Sequence, residues 1–143
     1  MTSVFRWLST LLAVFLTACA GLLEQGEEAP LPVSENTAVV ALVDTARTDF
    51  IAGKSDSAGA ALERALRIEP KNPMLWHELA KLRLREGEFK QAESLAAKSN
   101  NWAGDNKRLR VLNWRIIGDA RVRLGNFTGA NAAYDKATEL EKN

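Results

Sequence analysis

From Thr37 onward, apolar residues return every three or four positions, as one buried face of an α-helix requires. Leu75, Trp76, Leu79, Ala80 and Leu82 form one such stripe, and Ala92, Leu95 and Ala96 another. Six helices are predicted: Thr37–Ala52, Asp56–Ile68, a third opening at Pro73 and ending at Gly87, Glu88–Trp102, Asn106–Leu124 and Phe127–Glu141. Asn72 is placed to cap the third helix. Pro73 suits its first turn, where a missing amide hydrogen costs nothing. Pro70 closes the second helix.

The pattern also repeats on a longer scale. Gly53, Gly87 and Gly125 each end an amphipathic run, with spacings of 34 (53 to 87) and 38 (87 to 125) residues. Two residues after each comes Ser55, Phe89 or Phe127, and five after comes Ala58, Ala92 or Ala130. A period in the thirties with helical patterning signals a stack of helical hairpins, each burying its apolar face on its neighbours. Lys107-Arg108-Leu109-Arg110 is the natural place for the four extra residues of the third unit.

These residues resemble the tetratricopeptide repeat. Trp76, Leu79-Ala80, Gly87, Phe89 and Ala92 follow its pattern in the middle unit. Trp114, Ile117-Gly118, Gly125, Phe127, Ala130, Tyr134 and Ala137 follow it in the third. The first unit keeps the frame with Leu42, Ala46, Gly53, Ala58, Leu62, Ala65 and Pro70. The resemblance covers about residues 39–142 and implies an all-α solenoid of about three repeats that binds proteins. One departure recurs: the family's buried tyrosine is replaced by Asp49, Arg83 and Arg121. Phe50, Leu82, Leu84 and Val122 are expected to take over its packing. Trp76 and Trp114 hold matching positions and are expected in the core. Trp102 either closes the second hairpin or stands as an exposed anchor.

Residues 1–36 have a different character. One positive charge, Arg6, precedes the apolar run Trp7–Ala18, which is too short to span a bilayer. This is the layout of a secretory signal. Leu16-Thr17-Ala18-Cys19 resembles the lipobox of bacterial lipoproteins, which implies cleavage before Cys19 and lipid on its sulfur. An uncleaved anchor or a general secretory signal is the alternative. Ala20, where an aspartate would imply inner-membrane retention, favours the outer membrane by the family's rule. The stretch 19–36 is proline- and glutamate-rich without helical period and reads as a tether of at most roughly 60 Å. A folded domain is expected over 37–143.

A chain 46% hydrophobic and 26% charged is composed like a folded domain. Its formal net charge of +1 lacks the concentrated basic patch of nucleic-acid binders. Cys19 is the only cysteine, so no disulfide forms within the chain. His77 is the only histidine, which excludes multi-histidine metal sites, and no phosphate-cradling glycine loop occurs. No cofactor and no catalytic constellation are expected.

The first helices carry a row of charges. His77, Lys81 and Arg85 are spaced by four, Arg115, Asp119 and Arg123 occupy the matching row of the third unit, and Arg47 matches Lys81. In the family this face lines the concave groove, where Leu84 and Val122 would add apolar anchors. An ordinary solvated face is the alternative. Like charges four apart cost a few tenths of a kcal/mol each, and an acidic partner segment would relieve that repulsion. The row lacks the Lys/Asn pattern of repeats that clamp chaperone C-termini.

The expected function is therefore a lipid-anchored scaffold facing the periplasm. Its partner would be a protein of the periplasm or inner membrane. Small lipoproteins with this domain resemble activators of class A penicillin-binding proteins, and also the pilotins of secretin assembly. The three-repeat size is closer to the activators. A cell-wall-acting enzyme is the rival of a different class.

Overall fold

The computed structural model describes residues 31–142; the signal-like segment, the lipobox and most of the tether lie outside them. Leu31–Asn143 forms a compact unit. Among the described residues there are six helices: α1 (Thr37–Ile51), α2 (Ser55–Ile68), α3 (Pro73–Arg85), α4 (Phe89–Trp102), α5 (Lys107–Arg123) and α6 (Phe127–Lys142). Each predicted helix is present, and boundaries move by a residue or two because caps sit outside the periodic run. The extra turn of the third unit falls at Lys107–Arg110, making α5 17 residues long against 13 for α3.

Asparagine starts the first helix of every pair. Asn36 accepts from the amides of Ala38 and Val39, Asn72 from Met74 and Leu75, and Asn106 from Leu109. These side chains satisfy donors that a helix start leaves without partners. The hairpin turns share one closure. At Gly87 the backbone takes φ +83°, which L side chains rarely adopt, and the Glu88 amide donates back to the Arg83 carbonyl at 2.9 Å. The same long bond joins Lys54 to Asp49 and Asn126 to Arg121.

α1 packs on α2, α3 on α4 and α5 on α6, and the hairpins join through α2–α3, α4–α5 and α3–α5 contacts. One core, led by Val39, Val43, Leu62, Leu75, Leu79 and Leu82, lies among α1, α2 and α3. The second is built largely of small residues, with Ala80, Ala92, Ala96, Ala120 and Ala133 around Ile116 and Ile117. Alanine lets the helices approach closely, at the cost of less apolar area buried per residue. A third, smaller core joins Met74, Ala103 and Leu109, and Leu31 and Val33 pack against it.

The arginines at the family's tyrosine position are held by carboxylates. Arg83 reaches Glu86 at 2.7 Å and Glu63 of α2 at 3.4 Å. Arg121 donates to Glu93 of α4 at 2.8 Å and to the Gly129 carbonyl at 2.9 Å. Leu82 is buried, with Leu84 and Phe50 packed against the cores, while Val122 remains 39% exposed. Trp76 is partly buried and packs against the first core, with one edge left open, its Nε1 donating to the Pro70 carbonyl at 2.9 Å and Lys98 Nζ 3.7 Å from the ring centre. Trp114 packs into the second core, and Trp102 is 44% exposed.

Candidate partner-binding groove

The first helices bring most of the predicted row to one concave face, as two adjoining cavities. The first, about 250 Å³, lies among α1, α2 and α3. Val43, Ala46, Phe50, Leu62 and Leu82 make its apolar lining, and Arg47, Glu78, Lys81 and Arg85 its charged one. The second, about 430 Å³, is bounded by Leu84, Phe89, Asp119, Val122, Arg123 and Tyr134. Arg85 borders both, so the two adjoin.

His77 does not join this surface. It is buried, and its Nδ1 donates to Asn113 Oδ1 of α5 at 2.8 Å. The Asn113 amide nitrogen donates to Ser99 Oγ at 2.7 Å and Asn100 Oδ1 at 3.0 Å, and Ser99 Oγ donates to the Pro73 carbonyl at 2.8 Å. This buried network ties α3, α4 and α5 together. Burial holds the His77 imidazole below its ordinary pKa, and the Lys81 charge pushes the same way.

The repulsion expected along the row is relieved at Arg47 and Lys81 by Glu78, a residue outside the predicted row. Its carboxylate accepts from Arg47 at 3.1 Å and from Lys81 at 3.0 Å. Burial alone would raise the Glu78 pKa, but the two cations outweigh it and hold the carboxyl below its usual range. Arg115 pairs with Glu141, away from the cavities. Asp119 accepts the Tyr134 hydroxyl at 2.6 Å, which pushes that phenol up to about 12.

Two cations face the groove differently. The Arg85 guanidinium lies over Phe50 at 4.8 Å, and Arg123 over Phe89 at 6.0 Å. Neither forms an ion pair among the described residues. These matched arginine–aromatic pairs place two cations without carboxylate partners on the groove, flanked by apolar surface that includes Ile51, 86% exposed. Their signal in the sequence was the aromatic two residues after Gly87, and Phe50 three before Gly53.

Residues 50–112 match the family model described as tetratricopeptide repeat. No curated protein matches the sequence significantly. Among solved structures, the globular C-terminal domain of P. aeruginosa LpoP is similar, with a TM-score of 0.71 and 35% identity, over 73% of this chain and 99% of that one. The N-terminal domain of stress-induced protein-1 from C. elegans matches with a TM-score of 0.67 and 13% identity, over 76% and 90% of the two chains. The second repeat domain of Spaghetti (RPAP3), bound to the HSP90 peptide SRMEEVD, matches with a TM-score of 0.64 and 19% identity, over 73% and 93%. The last two share the fold alone. Repeat period, helix caps, glycine turns and the LpoP likeness agree: the chain belongs to the tetratricopeptide-repeat family of protein-interaction scaffolds.

Proposed function

We propose that this protein is an outer-membrane lipoprotein, anchored through Cys19, whose groove binds a class A penicillin-binding protein and stimulates peptidoglycan synthesis. The observation that carries the proposal is the 35% identity to the LpoP globular domain, across 99% of it. A role of that protein's kind is favoured over those of the repeat domains matched at 13% and 19%. The groove suits an extended partner segment. An aliphatic or aromatic side chain would fill the first cavity, and carboxylates would meet Arg85 and Arg123. This work is binding rather than turnover, so no catalytic residue is assigned. The short tether requires the synthase to reach towards the outer membrane.

The test is reconstitution of the purified protein with the class A synthase of its own cell, scored by glycan-chain polymerisation. Stimulation is expected. Arg85→Glu with Arg123→Glu should lose it while keeping the helical circular dichroism of the parent. A folded double variant that stimulates as well as the parent refutes the groove, and a parent that neither binds nor stimulates refutes the activator role.

A further inference from the structure

The edge of the domain where the N-terminal segment joins it carries a second surface. The Val33 carbonyl accepts from the Asn72 side chain at 2.8 Å, and Ser34 Oγ donates to Glu69 at 2.7 Å. With Leu31 and Val33 packed on Met74, Ala103 and Leu109, the chain is fixed at the α2–α3 and α4–α5 connections. These lie at the opposite end of the helices from the Gly53, Gly87 and Gly125 turns.

Two lysine–tryptophan pairs flank this point. Lys71, next to Asn72, stands 5.3 Å from the Trp102 ring centre, and Lys98 stands 3.7 Å from that of Trp76. Lys98 and Trp102 are four apart on α4 and so share a face. A shallow outer groove of about 820 Å³ continues the patch past Trp76 to Arg67 and Lys90. None of Arg67, Lys71, Lys90 and Lys98 makes an ion pair among the described residues. Of the nearby acids, Glu63 pairs with Arg83, while Glu69 accepts from the neutral Ser34 and Asn72 side chains and keeps its charge, so the four cations outnumber the open carboxylates. Asp105 is exposed beside the patch.

Tryptophan with a polar tip and lysine on a long apolar stem are side chains that settle at a lipid headgroup layer. From Cys19 to Leu31 the chain reaches at most roughly 40 Å. The geometry points to this edge as a lipid-facing surface that seats the domain on an anionic phospholipid bilayer. It rests on the Cys19 anchor for its nearness to membrane, and it leaves the concave groove free for protein. Each basic residue near an anionic surface raises partitioning about fivefold.

The test uses unlipidated chain starting at Ala20, which retains every residue of the three cores and so folds without the anchor. It is sedimented with vesicles of phosphatidylglycerol or of phosphatidylcholine. Partition should favour phosphatidylglycerol by tenfold or more, with a blue shift of tryptophan emission. Lys71→Gln with Lys98→Gln should lower it about 25-fold, whereas the charge-matched Lys136→Gln with Lys142→Gln should leave it unchanged. Equal partition into both lipids, equal loss in both double variants, or binding only to isolated peptidoglycan overturns the proposal. The anchor is tested separately: a Cys19→Ser chain that still matures and takes lipid in cells defeats the anchor without altering the vesicle result.

Discussion

Asn113→Ala would cut the one side chain that links His77, Ser99 and Asn100. Asn113 is fully buried and makes three hydrogen bonds, at 2.8, 2.7 and 3.0 Å. Its loss strands the buried His77 Nδ1–H, at a cost of about 1–3 kcal/mol for an unsatisfied donor. Ser99 and Asn100 each lose a donor to their oxygens, adding about 0.5–1 kcal/mol apiece where water cannot replace it. The expected total is about 2–5 kcal/mol. For a domain of this size that lowers Tm by about 10–25 °C. Urea denaturation followed by circular dichroism at pH 7.5 measures it directly. Asn100→Ala removes only one arm of the network, and Asn100 is half-buried, so it should cost under about 1 kcal/mol. An Asn113→Ala protein within about 0.5 kcal/mol of the parent, or an Asn100→Ala protein equally damaged, would refute the account of the network as an inter-repeat fastening.

Stability should also respond to pH. Because burial holds folded His77 below 6.5, the unfolded chain takes up the proton first, so stability is full above about pH 6.5 and declines below it. His77→Gln should flatten that decline between pH 6.5 and 5, as read by denaturant midpoints. The Glu78 carboxyl, also held low, contributes stability that is present above pH 4.5 and lost under further acid. Gly118→Ala would place a Cβ 2.4 Å from the Tyr134 ring, which Asp119 holds in place. It should destabilise by about 1–3 kcal/mol despite the better helix propensity of alanine, and Tyr134→Ala should relieve the penalty in a thermal melt. Gly87→Val forces a branched residue to φ +83° and should cost more than about 1 kcal/mol by the same melt.

The architecture was legible because it is periodic. Stripe, cap, glycine turn and small residue recur in frame, and each is a local property of the chain. The site was legible only in part. Spacing by four aligned His77 with Lys81 and Arg85, but α5 packs across the start of α3 and covers the first of them. The Glu78–Lys81 pair was legible as a spacing of three on one helix, but the reach of Glu78 to Arg47 on another helix was not, because sequence spacing carries no inter-helix register. Trp76 packs on the first core as its apolar stripe implies. Its contacts with Pro70 and Lys98 were not legible, because those residues come from the preceding connection and the following helix.

The arginines at the tyrosine position bear on how far these repeats are interchangeable. A joint packed by an aromatic ring accepts any neighbour with a small residue in the facing place. Here Arg83 sits 3.4 Å from where a Gly59 Cβ would be and reaches Glu63, whereas Arg121 meets Glu93, whose place in the repeat is that of Gly59. Each joint therefore recognises its own neighbour by where the carboxylate stands. Shuffled or duplicated units of this protein would lose that match across the seam, leaving Arg83 only Glu86 and Arg121 only the Gly129 carbonyl of its own hairpin, so the order of the three hairpins is written into their seams.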